Sequence, residues 1–227
     1  MFHIEVMEEP PVQELRRRYT QGQLDEHAMH ADPMEQFAAW FKEACQASLD
    51  EPNAMSLATV SEEGQPSLRT VLLKGYGPQG FDFYTNLESQ KGQQIHSHPQ
   101  VSLLFPWIAL ERQVIVYGKA SLLPRAEVEA YFATRPRESQ VGAWASRQSQ
   151  PVASREALEA SFEEVRLRFE NQPIPAPGFW GGYRVLPAKM EFWQGRAGRL
   201  HDRVSYQISS EALAASAVMS LRPLMTY

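Results

Sequence analysis

AMSLATVSEEGQPSLRTVLLKGYGPQGFDFYT, residues 54–85, is the stretch on which the fold turns. AMSLATV (54–60) and SLRTVLLK (67–74) are rich in apolar and β-branched residues, and FDFYT (81–85) is rich in aromatics. SEEGQP (61–66) and GYGPQG (75–80) supply Gly, Pro and acidic turn residues between them. The pattern reads as strand, turn, strand, turn, strand. Gly75, Gly77 and Gly80 match the spacing G-x-G-x-x-G. That fingerprint must open a helix, whereas here Pro78 interrupts it and a strand follows, so a hairpin turn is expected.

Outward from this core, QVSLLFPW (100–107) and ERQVIVYGKASLL (111–123) read as two further strands. WGGYRV (180–185), KMEFWQ (189–194) and RVSYQ (203–207) add three more after a proline-rich link, QPIPAPG (172–178). Helices are expected from Asp32, with Pro33 in the first turn and Glu35 at capping-box spacing, and with Phe37, Trp40, Phe41, Ala44 and Cys45 on the buried face. Others are expected in ESQKGQQIHSH (88–98), in PRAEVEAYFATR (124–135) and from Ser154 through SREALEASFEEVRLRFEN. Strands joined by short turns, without strict β-helix-β alternation, point to a mainly β, α+β fold: an antiparallel sheet or small barrel with appended helices. Residues 1–30 are polar with weak periodicity and read as a flexible N-terminal arm, 31–207 as one domain, and 208–227 as an atypical tail.

The chain has 227 residues, 43% of them hydrophobic, enough for a substantial core. Its formal net charge of -5 points away from a nucleic-acid partner, and Arg16-Arg17-Arg18 is its only basic triplet. A single cysteine, Cys45, excludes an intrachain disulfide and fits a reducing cytoplasm. The N-terminus lacks the basic start and apolar run of a signal peptide, and VSLLFPWIAL is too short to span a bilayer, so no membrane partner is expected. His27/His30 and His96/His98 have spacings a metal could use, but no second cysteine or acid cluster supports them, and no metal is expected.

The cations are informative by position. Arg69 and Lys74 fall on an apolar strand, where the usual companion of a charge is an acid. Lys91 follows Ser89 at a helix start, where an anion is favoured. Tyr131 and Arg135 are four residues apart on one helix face, with Ser139 beyond Pro136; surface decoration is the plain reading. EFWQGRAGRLHDR, residues 191–203, places three arginines and a histidine within eight residues. If it is a strand, Arg199, His201 and Arg203 share a face that calls for an anion, and Asp202 points away.

These segments together resemble the pyridoxine/pyridoxamine 5′-phosphate oxidase family. The likeness lies in RTVLLK (69–74), FYTNLES (83–89), VSLLFPW (101–107), ERQV (111–114), YFATRPRES (131–139), FWGGYRV (179–185) and the 191–203 stretch, and runs from about Leu15 to Gln207. It implies an FMN-binding split β-barrel working as a homodimer with active sites at the subunit interface. It implies oxidation of pyridoxamine or pyridoxine 5′-phosphate to pyridoxal 5′-phosphate, with O2 as acceptor and H2O2 as by-product. By the resemblance, Arg69, Val71, Leu72, Tyr84, Thr85, Lys91, Gln113, Gln148, Ser149, Trp193 and Arg203 match FMN-contacting positions. Lys74 and Gln90 join that set, Gln90 standing where the family commonly carries an arginine. Lys74, Tyr131, Arg135 and Ser139 match positions that hold the substrate phosphate, Arg199 and His201 match catalytic positions over the pyridine ring, and Arg16 to Tyr19 resemble an arm segment that covers the site. The end departs from the pattern: an alanine-rich ISSEALAASAVMSLRPLMTY replaces a closing strand. Alternatives within the same fold are a flavin oxidoreductase on another substrate, such as a phenazine precursor, or a non-catalytic binder of flavin or pyridoxal phosphate.

Overall fold

Asp32 caps the first α-helix. Its side chain accepts the N–H of Met34 at 2.7 Å, Pro33 takes the first turn, and helix α1 runs Pro33–Gln46. Glu35 lies 3.6 Å from His30 rather than completing a capping box. Phe37, Trp40 and Ala44 are buried as their spacing requires, whereas Cys45, expected on the same face, is exposed. Phe37 meets Phe81 and Phe105 with ring centroids 4.9 Å from each, so α1 plugs the sheet through an aromatic cluster.

The computed structural model describes residues 12–15, 18–208 and 224–225. Its strands are β1 (Ala54–Val60), β2 (Pro66–Leu72), β3 (Gly75–Gly77), β4 (Gly80–Asn86), β5 (Gln100–Trp107), β6 (Arg112–Leu122), β7 (Trp180–Gln194), β8 (Asp202–Gln207) and β9 (Leu224–Met225). They form one antiparallel sheet in the order β2-β1-β5-β6-β7-β4-β3, with β8 on β7 and β9 on β8. The sheet curls as a split β-barrel with helices attached, the expected α+β class. GYGPQG is indeed a hairpin turn: Gly77 opposes Gly80, and Gly80 sits at φ +123 where a Cβ would lie 2.3 Å from the carbonyl oxygen of Val185.

WGGYRV and KMEFWQ, read from sequence as two strands, are one. β6 pairs along nearly all of β7, but the other edge of β7 changes partner. Residues 180–185 face β4 and 189–194 face β8. Pro187, which has no N–H to give, stands at the changeover, and a bulge between Tyr117 and Gly118 absorbs the register shift there. A Cβ on Gly118 would lie 2.4 Å from the carbonyl oxygen of Leu186.

The helices after α1 are α2 (Gln90–Ser97), α3 (Arg125–Thr134), α4 (Arg137–Ala145) and α5 (Arg155–Arg168). α4 was not legible in the sequence, because Pro136 is its N-cap without a capping side-chain bond and Gly142 lies inside it. α3 and α4 close over a second apolar cluster built on Leu123, Val128, Phe132, Val141 and Trp180. None of the described helices is long and apolar enough to cross a membrane. Of the 208–227 tail, only Ile208, Leu224 and Met225 are described, and Leu224–Met225 pairs with β8.

Candidate functional site

A cavity of about 680 Å³ opens between β2, β4, α2, the α3–α4 corner and the first residue of β7. Arg69, Lys74, Lys91 and Arg135 line it, and no Asp or Glu does. Arg69 does not take the acid that a half-buried strand arginine usually has. Its Nη1 donates to the carbonyl of Leu57 at 3.0 Å and to Thr59 Oγ1 at 2.6 Å, and its Nη2 donates to Gln94 Oε1 at 3.3 Å. All of these acceptors are neutral, so the positive charge stays available.

Lys91 repeats the design. Ser89 caps α2, and Lys91 in the first turn is only 8% exposed. Its Nζ donates to Gln148 Oε1 at 2.9 Å and Ser89 Oγ at 3.3 Å. Gln148 Oε1 also accepts Thr85 Oγ1 at 3.0 Å. Burial, and then the nearby Arg69 charge, push the Lys91 ammonium below its ordinary pKa. Burial lowers the guanidinium pKa of Arg69 and Arg135 as well. A bound dianion would reverse the penalty at all three.

The floor is aromatic. Tyr84, Tyr131 and Trp180 lie nearly parallel, with Tyr84 4.0 Å from Tyr131 and 5.4 Å from Trp180, and Tyr131 6.2 Å from Trp180. Arg135 lies 4.8 Å above the Trp180 ring, and its Nη1 is buried without a hydrogen-bond partner among the described residues. Tyr131, Arg135 and Ser139 are therefore cavity wall, not surface decoration; Arg135 is the C-cap of α3 and Ser139 belongs to α4. The orphaned guanidinium, the unneutralised cations and the flat apolar floor fit a phosphate-bearing aromatic ligand such as FMN.

Val71, Leu72, Tyr84, Thr85 and Gln148 also line the cavity. Lys74 reaches it from just past the end of β2. Gln90 does not: it is exposed and borders a neighbouring depression with Glu62 and Glu63. Ser149 is exposed at φ 67 next to Gln148. Trp180 was missed as a site residue; its signal was its place in FWGGYRV, where it reads equally well as core.

The other sequence candidates gather elsewhere. Gln113, Trp193 and Arg203 are cross-strand neighbours on β6, β7 and β8. His201 lies with its ring 4.8 Å from Trp193, and Tyr19 meets both rings edge-on, at 5.9 and 5.3 Å. His201 Nδ1 accepts the backbone N–H of Arg196 at 3.0 Å, so the neutral ring carries its proton on Nε2. The expected strand phase of Arg199, His201 and Arg203 fails, since β8 begins at Asp202 and Arg199 sits before it at φ 65. Asp202 does not stand apart either. It is buried, ion-paired with Arg196 at 3.1 Å, and accepts the N–H of Leu24 at 2.9 Å. Arg203 lies 3.3 Å from Glu191. Arg199 alone of these arginines is exposed with no ion pair among the described residues.

Residues 19–24 are tied down through backbone groups, which side-chain periodicity does not report. Buried Glu111 accepts the N–H of Thr20 at 2.7 Å and of Gln21 at 2.9 Å. Arg16 lies outside the described residues.

Trp180 and Trp193 stand at opposite ends of β7, a separation of about 40 Å along the strand at ~3.3 Å per residue. None of Gln113, Trp193, His201 and Arg203 lines the cation cavity, so the two clusters are separate within one chain.

Two family models cover most of the chain. The model described as pyridoxamine 5′-phosphate oxidase matches residues 41–169, and one described as pyridoxine 5′-phosphate oxidase C-terminal dimerisation region matches 180–216. The pyridoxine/pyridoxamine 5′-phosphate oxidase of Rippkaea orientalis is 55% identical over 197 residues, 87% of this chain and 93% of that protein. Its counterpart from Rubrobacter xylanophilus is 57% identical over 192 residues, covering 85% and 88%. Among solved structures, PhzG from Burkholderia lata, in complex with tetrahydrophenazine-1-carboxylic acid, superposes with a TM-score of 0.80 at 26% identity, covering 88% of this chain and 94% of that one. The chain belongs to the pyridoxamine 5′-phosphate oxidase family.

Proposed function

We propose that this protein oxidises pyridoxamine 5′-phosphate or pyridoxine 5′-phosphate to pyridoxal 5′-phosphate, using FMN, with O2 as electron acceptor and H2O2 released. The observation that carries this is the cavity with four cationic side chains, no carboxylate and a stacked aromatic floor. Bound FMN supplies the two-electron oxidation of the substrate C4′ carbon. Arg69 and Lys91, held by neutral partners, grip the cofactor phosphate, and Thr85 and Gln148 fix Lys91. Lys74, Tyr131, Arg135 and Ser139, which line the same cavity, grip the substrate phosphate. For the amine substrate, loss of one C–H and one N–H hydrogen leaves an imine, which water converts to the aldehyde and ammonia. For the alcohol, loss of C–H and O–H hydrogens gives the aldehyde directly.

Arg199 and His201 complete the site from the partner protomer of a homodimer, Arg199 setting charge beside the pyridine ring and His201 offering its Nε2 proton as a hydrogen-bond donor. Three observations support sharing the site between chains: the separation of the half-sites along β7, the match to a dimerisation region, and the exposure of Arg199. Trp193, Gln113 and Arg203 then cover the flavin, and the arm closes over the 31–207 domain through Tyr19, which already meets Trp193 and His201. A cytoplasmic setting accords with the exposed, unpaired Cys45.

PhzG makes a phenazine-type substrate the second reading. The far higher identity to the oxidases and the second cation pair, Lys74 and Arg135, favour a phosphorylated one. Purified protein supplied with FMN is expected to form pyridoxal 5′-phosphate from pyridoxamine 5′-phosphate with one H2O2 per turnover. Flavin binding without turnover of either vitamer would leave a binder in place of an enzyme. Turnover confined to phenazine precursors would select the second reading.

A further inference from the structure

Half-buried arginines in this protein ordinarily take a carboxylate. Arg184 forms a paired contact with Asp82 at 2.8 and 2.7 Å, Arg196 pairs with Asp202 at 3.1 Å, and Arg203 lies 3.3 Å from Glu191. Arg69 and Arg135 depart from the pattern, and at Arg69 the residue responsible is Gln94 on α2. Gln94 is 7% exposed and does not line the cavity; it stands behind Arg69. Its Oε1 accepts Thr59 Oγ1 at 2.6 Å and Arg69 Nη2 at 3.3 Å, and its Nε2 donates to Ser67 Oγ at 3.1 Å. Arg69 has no acceptor to offer, so it fixes which end of the amide faces it. Thr59 spends its one hydroxyl proton on Gln94, which leaves its lone pairs for Arg69 Nη1 at 2.6 Å. The guanidinium is therefore oriented by a closed chain of neutral groups.

We propose that Gln94 is a positioning residue that aims Arg69 at the ligand phosphate without neutralising it, and that the absence of charge at residue 94 determines the preference for a phosphorylated flavin. This deepens the FMN reading above and rests on it. A glutamate would satisfy every hydrogen bond that Gln94 makes. One oxygen could accept Thr59 and Arg69, and the other could accept the hydroxyl of Ser67. It would, however, place a carboxylate against Arg69 in a partly desolvated setting, where the pair would compete with the ligand phosphate. Lys91 is arranged by the same rule, with Gln148 in the amide role.

The test is Gln94→Glu in the full chain, with dissociation constants for FMN and riboflavin measured on flavin-free protein by fluorescence. The two flavins differ only in the 5′-phosphate. The variant is expected to lose FMN affinity by at least about tenfold while riboflavin affinity stays within about twofold, because the loss is confined to a charge-assisted contact. Gln94→Met, which keeps length but removes both polar ends, is expected to weaken FMN selectively by a smaller factor. This second variant keeps the proposal open to refutation should Gln94→Glu fold poorly. Parallel loss of both flavins in either folded variant, or unchanged FMN affinity in Gln94→Glu, would overturn the assignment while leaving the FMN reading intact. Wild-type protein with no preference for FMN over riboflavin would overturn both.

Discussion

Arg69→Ala is expected to weaken FMN binding by about tenfold to a hundredfold, the loss of one charge-assisted contact worth ~1.5–3 kcal/mol. The site concentrates charge that the protein itself leaves uncompensated. Arg69 is held by two carbonyls, a hydroxyl and an amide, and Lys91 by a hydroxyl and an amide. Removing Arg69 also removes the positive neighbour that helps depress the Lys91 pKa. Riboflavin titration is the control. Arg69 also ties β2 to β1 through Leu57 and Thr59, so a purely structural effect would weaken riboflavin and FMN alike. That outcome would remove Arg69 from the phosphate site.

Arg199→Ala is expected to lower turnover by about 10²–10³-fold while the protein retains its full complement of FMN, the usual cost of losing one well-placed group that stabilises developing charge. The fold gives no reason for an arginine here. It is exposed, at φ 65, and has no ion pair among the described residues. A non-glycine residue in the left-handed region costs of order 1 kcal/mol or more, and such positions gather at functional sites. Alanine keeps the Cβ and hence the same backbone demand, so the substitution changes chemistry more than conformation. Turnover and flavin content measured on one preparation decide the matter. If flavin content fell in step with turnover, Arg199 would be a cofactor residue.

Elements with local signals were legible. Asp32-Pro33 started α1, Ser89 and Ser154 started α2 and α5, and Gly77-Pro78-Gln79-Gly80 turned a hairpin, because caps and turns are settled by a few neighbouring residues. Non-local pairing was not. The continuity of β7 through Pro187 depends on β6 supporting one edge while the other changes partner, and no window of sequence contains that. The companions of the cations were hidden for the same reason. Gln94 reaches Arg69 from 25 residues away, and Gln148 reaches Lys91 from 57. The resemblance named the candidates, but only the folded chain separates them into two groups. Lys91 and Arg135 line the cavity, while Trp193, His201 and Arg203 cluster at the far end of β7.

That separation makes one measurement decisive. Arg69→Ala and Arg199→Ala proteins, each impaired alone, are mixed, dissociated and reassociated, and pyridoxal 5′-phosphate formation is assayed at FMN too low to saturate the Arg69→Ala site. If each site draws the cation cavity from one chain and Arg199 from the other, a mixed dimer holds one intact site, and random reassociation restores about a quarter of wild-type activity. Activity no higher than the average of the two parent variants would mean that both half-sites serve from a single chain, contradicting the shared site.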